Sequence, residues 1–346
     1  MRSLDPPSNE APRSADSVLA GLDPDQRAAV TAPVGIVVVR AGAGSGKTTV
    51  LTRRIAWRAL SETADIERVL AITFTRQAAT EMRSRLARFD LDGRPVIGTF
   101  HAIARRLMLQ FLEDRNRRIP VIVNNRSSLM SSCMGDDAKS GGIYDVLTAV
   151  DWAHAHMITP SKAAEKLAEA GLKIPLGARR FTEVFEQYER TKKKRGVIDL
   201  NDFMTSVIQE AKKDPRFIES IRFQYRHISV DEAQDMNPLQ YEFLKVLVPN
   251  AADLFLVGDP NQAIYGFNGA NKTLFDELPG FHAGAHVVSL PSNYRCTPEI
   301  VQMAVDTLAK DGQIADAQSK RLSGQVVRLE RCADDAAELK LITKLV

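Results

Sequence analysis

Between about Leu22 and Leu112, short apolar runs alternate with stretches whose apolar residues recur every three or four positions. Ile36, Val37, Val38 and Val39 form an unbroken β-branched run, and Val69–Phe74 and Val96–Phe100 have the same character. Runs this short, without polar alternation, predict strands buried on both faces. Leu51, Ile55 and Ala59, then Ala78, Met82 and Leu86, have helical spacing instead. Strand and helix in alternation predict an α/β fold, a parallel sheet with helices on both faces. The pattern breaks at the Ser/Gly/Asp-rich stretch Ser127–Gly142 and then becomes mostly helical through Arg195, as expected of an inserted helical subdomain. Strand signals return at His227–Val230 and Leu254–Val257, each closing on polar residues at its carboxyl end. Open α/β sheets bind their ligands at that edge. After Leu290 the pattern changes again: Gln325–Glu330 reads as a strand, and Asp334–Val346 as a helix without a closing glycine.

Bulk composition narrows the class without choosing a function. A length of 346 residues suggests two domains, and 44% hydrophobic with 26% charged residues is ordinary for a soluble globular chain. The net charge of +3 permits a nucleic-acid partner but does not argue for one. Cys133, Cys296 and Cys332 lie far apart and form no paired spacing, which points to a reducing cytoplasm and away from a disulfide or zinc framework. No apolar run reaches the ~18 residues of a membrane span. Residues 1–18 carry prolines and acids where a signal peptide needs an apolar core, so they read as a disordered leader.

The most specific chemistry lies directly after the first strand. Ala41, Gly42, Ala43, Gly44, Ser45, Gly46, Lys47 and Thr48 read AGAGSGKT, between a strand and a helix. Glycines there let backbone N–H groups turn inward around a polyphosphate, Lys47 reaches the β/γ-phosphates, and the Thr48 hydroxyl can ligate Mg²⁺. A dinucleotide fingerprint needs G-x-G-x-x-G, which this spacing does not satisfy. Ala41 stands where the strict pattern has glycine, and it is acceptable only with φ below zero.

Three further segments fit such a site. Ile228–Asp235 reads ISVDEAQD, a short strand ending in acids. Asp231 would hold Mg²⁺ through its water shell and Glu232 would orient and deprotonate the attacking water. The same pair could instead cap the helix that begins near Pro238. Leu254–Ala270 runs from a strand into Gly258, Asp259, Pro260, Asn261 and Gln262, where the Gln262 amide can sense a γ-phosphate. In Leu22–Val30, Gln26 could hold adenine bidentately, or could simply close a capping box with Asp23.

Taken in order, these segments resemble the UvrD/Rep family of superfamily 1 DNA helicases, over about Leu22–Ile300. The chain also carries ITFTRQAATEM at Ile72–Met82, GTFHAIARRLM at Gly98–Met108, IDLNDFM at Ile198–Met204 and LPSNYRCTPEI at Leu290–Ile300, each similar to a helicase motif of that family. The resemblance implies a RecA-like P-loop NTPase domain from residues 19–112 and 196–289, a helical insertion at 113–195, and the start of a second RecA-like domain at 290–346. It implies ATP and Mg²⁺ as cofactors, with Gln26 on adenine, Ala41–Thr49 around the phosphates, Thr48 and Asp231 on the metal, Lys47 and Glu232 in catalysis and Gln262 as sensor. Tyr294 would stack on the base and Arg295 would reach the γ-phosphate. Single-stranded DNA, and duplex junctions, would be the partner, together with repair or replication proteins. Phe74, Thr75, Thr99, Phe100, His101, Tyr265 and Phe267 match strand-tracking positions, since stacking on an aromatic ring is worth about 1–3 kcal/mol per base whatever the sequence. Each of these aromatics could equally pack in the core. Lys192–Arg195, KKKR, could meet phosphates or form a solvated face.

The implied activity is an ATP-dependent translocase and helicase moving 3′ to 5′, in repair, replication or recombination. A nucleotide-gated single-strand binding module, or the motor part of a helicase-nuclease, are the alternatives. Three positions depart from the commonest family pattern: Thr49 and Asn268 where arginine is usual, and Gln77 where lysine is frequent. Losing the guanidinium at Asn268 removes a fixed fork of donors near the coupling region. No motif after Ile300 completes the second RecA-like domain, so the chain reads as the N-terminal part of a longer helicase, with unpaired strand edges and apolar surface exposed near its end.

Overall fold

A computed structural model of the chain describes residues 14–123, 125–248, 253–263, 266, 273–275, 284–310, 312–313 and 316–345. In chain order its strands are β1 Ile36–Ala41, β2 Val69–Thr73, β3 Val96–Thr99, β4 Val121–Ile122, β5 Val197–Ile198, β6 His227–Val230, β7 Asp253–Gly258, β8 His286–Leu290, β9 Ser292–Asn293 and β10 Gln318–Ser319. The main sheet has the order β3, β2, β6, β7, β1, β8, and each neighbouring pair runs parallel. All carboxyl ends therefore share one edge. In that sheet β7 lies between β1 and β6, although about 190 residues of chain separate the ends of those two.

Side-chain alternation places the two cores. Ile36 and Val38 of β1, Leu70 and Ile72 of β2, Ile228 and Val230 of β6, and Leu254 and Leu256 of β7 face the helices Phe100–Asp114, Leu200–Lys213, Pro215–Gln224 and Pro238–Leu247. Val37, Val39, Ala71, Phe255 and Val257 alternate to the other face, under the helices Pro24–Thr31, Lys47–Leu60 and Arg76–Leu86. Burying each Val or Leu completely stabilises by about 1.5–3 kcal/mol, which is why the strands read as continuous apolar runs.

The helices Arg126–Met134, Ile143–Ala155, Pro160–Glu169 and Ala178–Arg195 surround a third core of their own, centred on Val150, Phe181, Phe185 and Tyr188. The parallel pair β4 and β5 brings together the chain entering and leaving this segment. The described residues divide into two compact units: one up to Ala41 and from Gly46 to Leu290, the other Gly42–Ser45 with the residues from Pro291 onward. The second unit holds β9 paired with β10, the helix Pro298–Lys310 and the helix Asp335–Leu345. In it Leu322, Val326 and Leu329 are exposed. Among the described residues no helix is long and apolar enough to cross a membrane.

Four expectations need correction. Ser127–Gly142 is not a break, because Asn125 caps the helix Arg126–Met134 and Leu129, Met130 and Met134 bury themselves in the third core despite the polar composition. Gln325–Glu330, read as a strand, forms none and has no strand partner among the described residues. Ser14–Val18, assigned to the leader, is ordered: Ser14 and Ser17 close a capping box and Val18 is fully buried. Lys192 of the KKKR run is not solvated, since it is 3% exposed and bonds Asp199 and Asp202 at 3.1 and 3.0 Å.

Candidate nucleotide-binding site

The AGAGSGKT segment joins β1 to the helix Lys47–Leu60, as its flanks predict. Ala41 pairs with Leu290 at the end of β1 and keeps φ below zero, so the missing first glycine costs nothing here. Gly46, at the helix entry, has φ 87° and ψ 29°, the left-handed region that suits glycine. A Cβ at Gly46 would sit 2.9 Å from Gln26 Nε2, so the base-contact candidate lies against the helix entry.

Gln26 makes the expected capping box, and the other end of its amide faces the helix entry. Its Oε1 accepts from Asp23 N at 3.3 Å while Asp23 Oδ1 accepts from Gln26 N at 2.7 Å, the expected capping box. The other end of the amide, Nε2, is the one turned to Gly46. Arg54, from the helix that follows the loop, donates to Ala29, Val30, Ala32 and Pro33 carbonyls at 2.7–3.4 Å and so fixes the far end of the Gln26 helix. Its guanidinium also lies 3.5 Å from Asp253 at the start of β7.

The acids meet the loop. The Thr48 hydroxyl donates to Asp231 Oδ2 at 3.3 Å, and Lys47 Nζ lies 3.3 Å from Glu232 Oε2. Asp231 is 3% exposed; burial first, and then the Glu232 charge, push its carboxyl up to about 6. Glu232 itself sits at φ 50° and ψ 42°, a conformation that costs a non-glycine residue about 1–3 kcal/mol and is held by its surroundings. Neither acid caps the helix Pro238–Leu247, because Asn237 does, with Gln240. This removes the competing structural explanation for the pair.

Two residues absent from the sequence reading belong to this constellation. Gln234, 2% exposed, donates to Glu232 Oε2 at 3.0 Å and accepts from Asp259 N at 2.9 Å. Arg85 donates to Thr49 Oγ1 at 3.2 Å while paired with Glu81, bringing a guanidinium to the position where Thr49 lacks one. The spacing EMRSR offered a signal for Arg85, but nothing local marked Gln234. Gln262 donates through Nε2 to Asp259 Oδ2, next to the same loop.

Within the second unit, Asn293 Nδ2 donates to Ala43 O at 2.7 Å and Tyr294 N donates to Gly44 O at 2.9 Å. Asn293 Oδ1 accepts from the backbone N–H of Arg295 and of Cys296, at 2.9 and 2.8 Å. The side chains of Tyr294 and Arg295 are exposed.

The strand-tracking candidates divide. Thr75 and Thr99 cap the helices after β2 and β3, accepting from Ala78 N and Ala102 N at 3.0 and 3.3 Å, so two helix N-termini point to the sheet edge side by side. His101 Nε2 lies 2.9 Å from Asn201 Oδ1, and Phe74 is partly buried. Phe100 does not fit its expected role: it is 1% exposed and packs in the core, with the Phe74 and Phe243 rings at 5.4 and 6.5 Å in T-shaped contacts. Tyr265, Phe267 and Asn268 lie outside the described residues.

Residues 22–281 match the UvrD/REP helicase N-terminal domain family. The ATP-dependent DNA helicase UvrD2 of Mycobacterium tuberculosis is 36% identical over 334 residues, covering 90% of this chain and 47% of that protein. UvrD1 of the same species is 30% identical, covering 90% and 42%, and DNA helicase II of Haemophilus influenzae is 31% identical, covering 85% and 41%. The chain thus spans about half the length of the curated relatives it matches. A parallel sheet, a phosphate loop facing paired acids and a family match over most of its length place this chain in the UvrD/REP helicase family, at its N-terminal domain.

Proposed function

We propose that this chain is the ATP-hydrolysing part of a motor that tracks single-stranded DNA, moves 3′ to 5′ and opens duplex junctions, in the cytoplasm and in the service of repair, replication or recombination. The observation that carries the reading is the meeting of Thr48 with Asp231 and of Lys47 with Glu232, from loops far apart in sequence. The relatives' names, each a DNA helicase and two of them ATP-dependent, agree with it.

In this reading Gln26 holds the base, the Gly42–Thr48 backbone cradles the phosphates, and Lys47 leaves Glu232 for the β/γ-phosphates when the triphosphate arrives. Thr48 and Asp231 would hold Mg²⁺. A hydroxyl and a buried carboxylate 3.3 Å apart are a hard oxygen pair that suits this cation. The metal would supply neutralisation of charge on the β/γ-phosphates. Glu232 then takes a proton from the attacking water, whose oxygen bonds the γ-phosphorus as the bond to the β-phosphate oxygen breaks. Gln262 reads the presence of the γ-phosphate. Phe74, Thr75, Thr99 and His101 hold the DNA strand at the same sheet edge, where hydroxyls and helix N-termini meet phosphates.

The test is ATP turnover with and without single-stranded DNA. Stimulation by DNA, abolished by Glu232→Gln, supports the motor; nucleotide binding without turnover in either condition contradicts it for this chain.

A further inference from the structure

Gln234 joins the acid loop to the sensor loop, and its amide uses both ends to do so. From the turn Ala233–Asp235 its Nε2 donates to Glu232 Oε2 at 3.0 Å, and its Oε1 accepts from Asp259 N at 2.9 Å. Lys47 meets the same oxygen of Glu232, so Oε2 carries both contacts. Asp259 in turn accepts from Asn261 N at 3.0 Å and from the Gln262 amide, while Gln262 N donates to Asp259 O at 2.9 Å. One polar path therefore runs from the Glu232 carboxylate through Gln234 and Asp259 to Gln262. The path is closely fitted: a Cβ on Gly258 would sit 2.7 Å from Gln234 Oε1, and Gln234 is 2% exposed.

We infer that Gln234 is a positioning residue that couples the orientation of Glu232 to the placement of the Gly258–Gln262 loop. The inference rests on the nucleotide reading above. Burial gives the coupling its sense. Gln234 itself is buried, so its amide has little water to turn to, and an unmet buried polar group costs about 1–3 kcal/mol; movement of one loop therefore strains the bond to the other. When Lys47 leaves Glu232 for a triphosphate, Gln234 becomes the donor that holds Oε2. A shift of the carboxylate then pulls on Asp259 N, and through it on the loop that carries Gln262. Only a neutral amide serves, because the residue must donate to a carboxylate and accept from a backbone N–H at once. Glutamate accepts but cannot donate when ionised, and methionine does neither.

The readout is hydrogen exchange of the Gly258–Gln262 segment, with and without a non-hydrolysable ATP analogue and Mg²⁺, beside the dissociation constant of that analogue. It is measured on the wild type, Gln234→Met and Gln234→Glu. In the wild type the analogue is expected to change exchange of the segment. In both variants the change at Gly258–Gln262 is expected to shrink about fivefold or more while saturable analogue binding is kept, because the phosphate contacts assigned above do not include Gln234. Gln234→Glu is read at a pH where the new carboxyl is ionised, since a proton shared with Glu232 would restore the link. Gln234→Glu keeps the side-chain volume and the contact to Asp259 N, so it reports on coupling even where Gln234→Met folds poorly. A full wild-type response in Gln234→Glu overturns the inference. Loss of analogue binding in the wild type itself overturns the nucleotide reading, and the inference falls with it.

Discussion

Lys47 Nζ lies 3.3 Å from Glu232 Oε2, so the cation of the phosphate loop rests on the carboxylate assigned to activate water. Under the proposed function a triphosphate displaces Glu232 from Lys47 as it binds. Glu232→Gln removes the competing anion and the base together. It should bind ATP at least as tightly as wild type while turnover falls by about 10²–10⁴-fold, the usual worth of a general base. Equilibrium binding beside steady-state turnover checks this, and weakened binding would count against the exchange.

The cap made by Gln26 and the base contact proposed for it fall on opposite ends of one amide, so they can be separated. Gln26→Glu still accepts from Asp23 N and preserves the capping box, so stability should stay within about 0.5 kcal/mol. It loses the amide donor near Gly46, and affinity for ATP should fall about tenfold while affinity for inorganic tripolyphosphate is kept, because one ligand hydrogen bond is worth about that much. Calorimetry with both ligands decides; equal losses would assign Gln26 to the cap alone.

Asp253 tests the base of the sheet. It is 7% exposed and faces Arg54, Arg58 and His227, with His227 Nδ1 at 2.9 Å from Oδ2. Burial opposes its charge, but the His227 hydrogen bond and the Arg58 and Arg54 charges outweigh burial and hold the carboxyl below its ordinary range. A depressed value means the stabilisation is present above the unfolded pKa near ~3.9 and is lost as pH falls through the folded one. Asp253→Asn should cost about 3–5 kcal/mol at pH 7 by stranding two buried guanidinium groups. Denaturant unfolding should show the two proteins converging below about pH 4; parallel curves would refute this.

The two phenylalanines at the sheet edge should behave differently. Phe74→Ala should weaken single-stranded DNA binding by about 1–3 kcal/mol, the value of one stacked base. Phe100→Leu should leave that affinity within about twofold and lower stability by about 1–2 kcal/mol, as a core substitution does. Fluorescence anisotropy with an oligonucleotide and thermal unfolding separate them, and the reversed pattern would move the DNA contact to Phe100.

Much of this was legible in the sequence because local chemistry and fold agree there. Ile36–Val39 reads as a strand because both its faces are buried, and the eight residues after it read as a phosphate loop because glycine, lysine and hydroxyl are each needed at a fixed offset. What failed depended on partners far along the chain. Gln325–Glu330 carries Val326, Val327 and Leu329 as a strand would, yet a strand exists only where another pairs with it. Lys192 looked like part of a solvated run because Asp199 and Asp202, which draw it inward, become its neighbours only across a turn. Gln234 stood unremarked between two acids, since its role requires β7 to lie beside β6.

Lys47, Thr48, Asp231 and Glu232 are proposed to form one Mg·ATP site. Titration of the chain with ATP, with and without Mg²⁺, tests it most directly when repeated on Lys47→Ala and Asp231→Asn. Binding should be saturable and one-to-one, weakened about 10–100-fold in Lys47→Ala by loss of a charge-assisted contact, with a Mg²⁺ enhancement that disappears in Asp231→Asn. ATP binding that is absent in the wild type, or unchanged in Lys47→Ala, would contradict it.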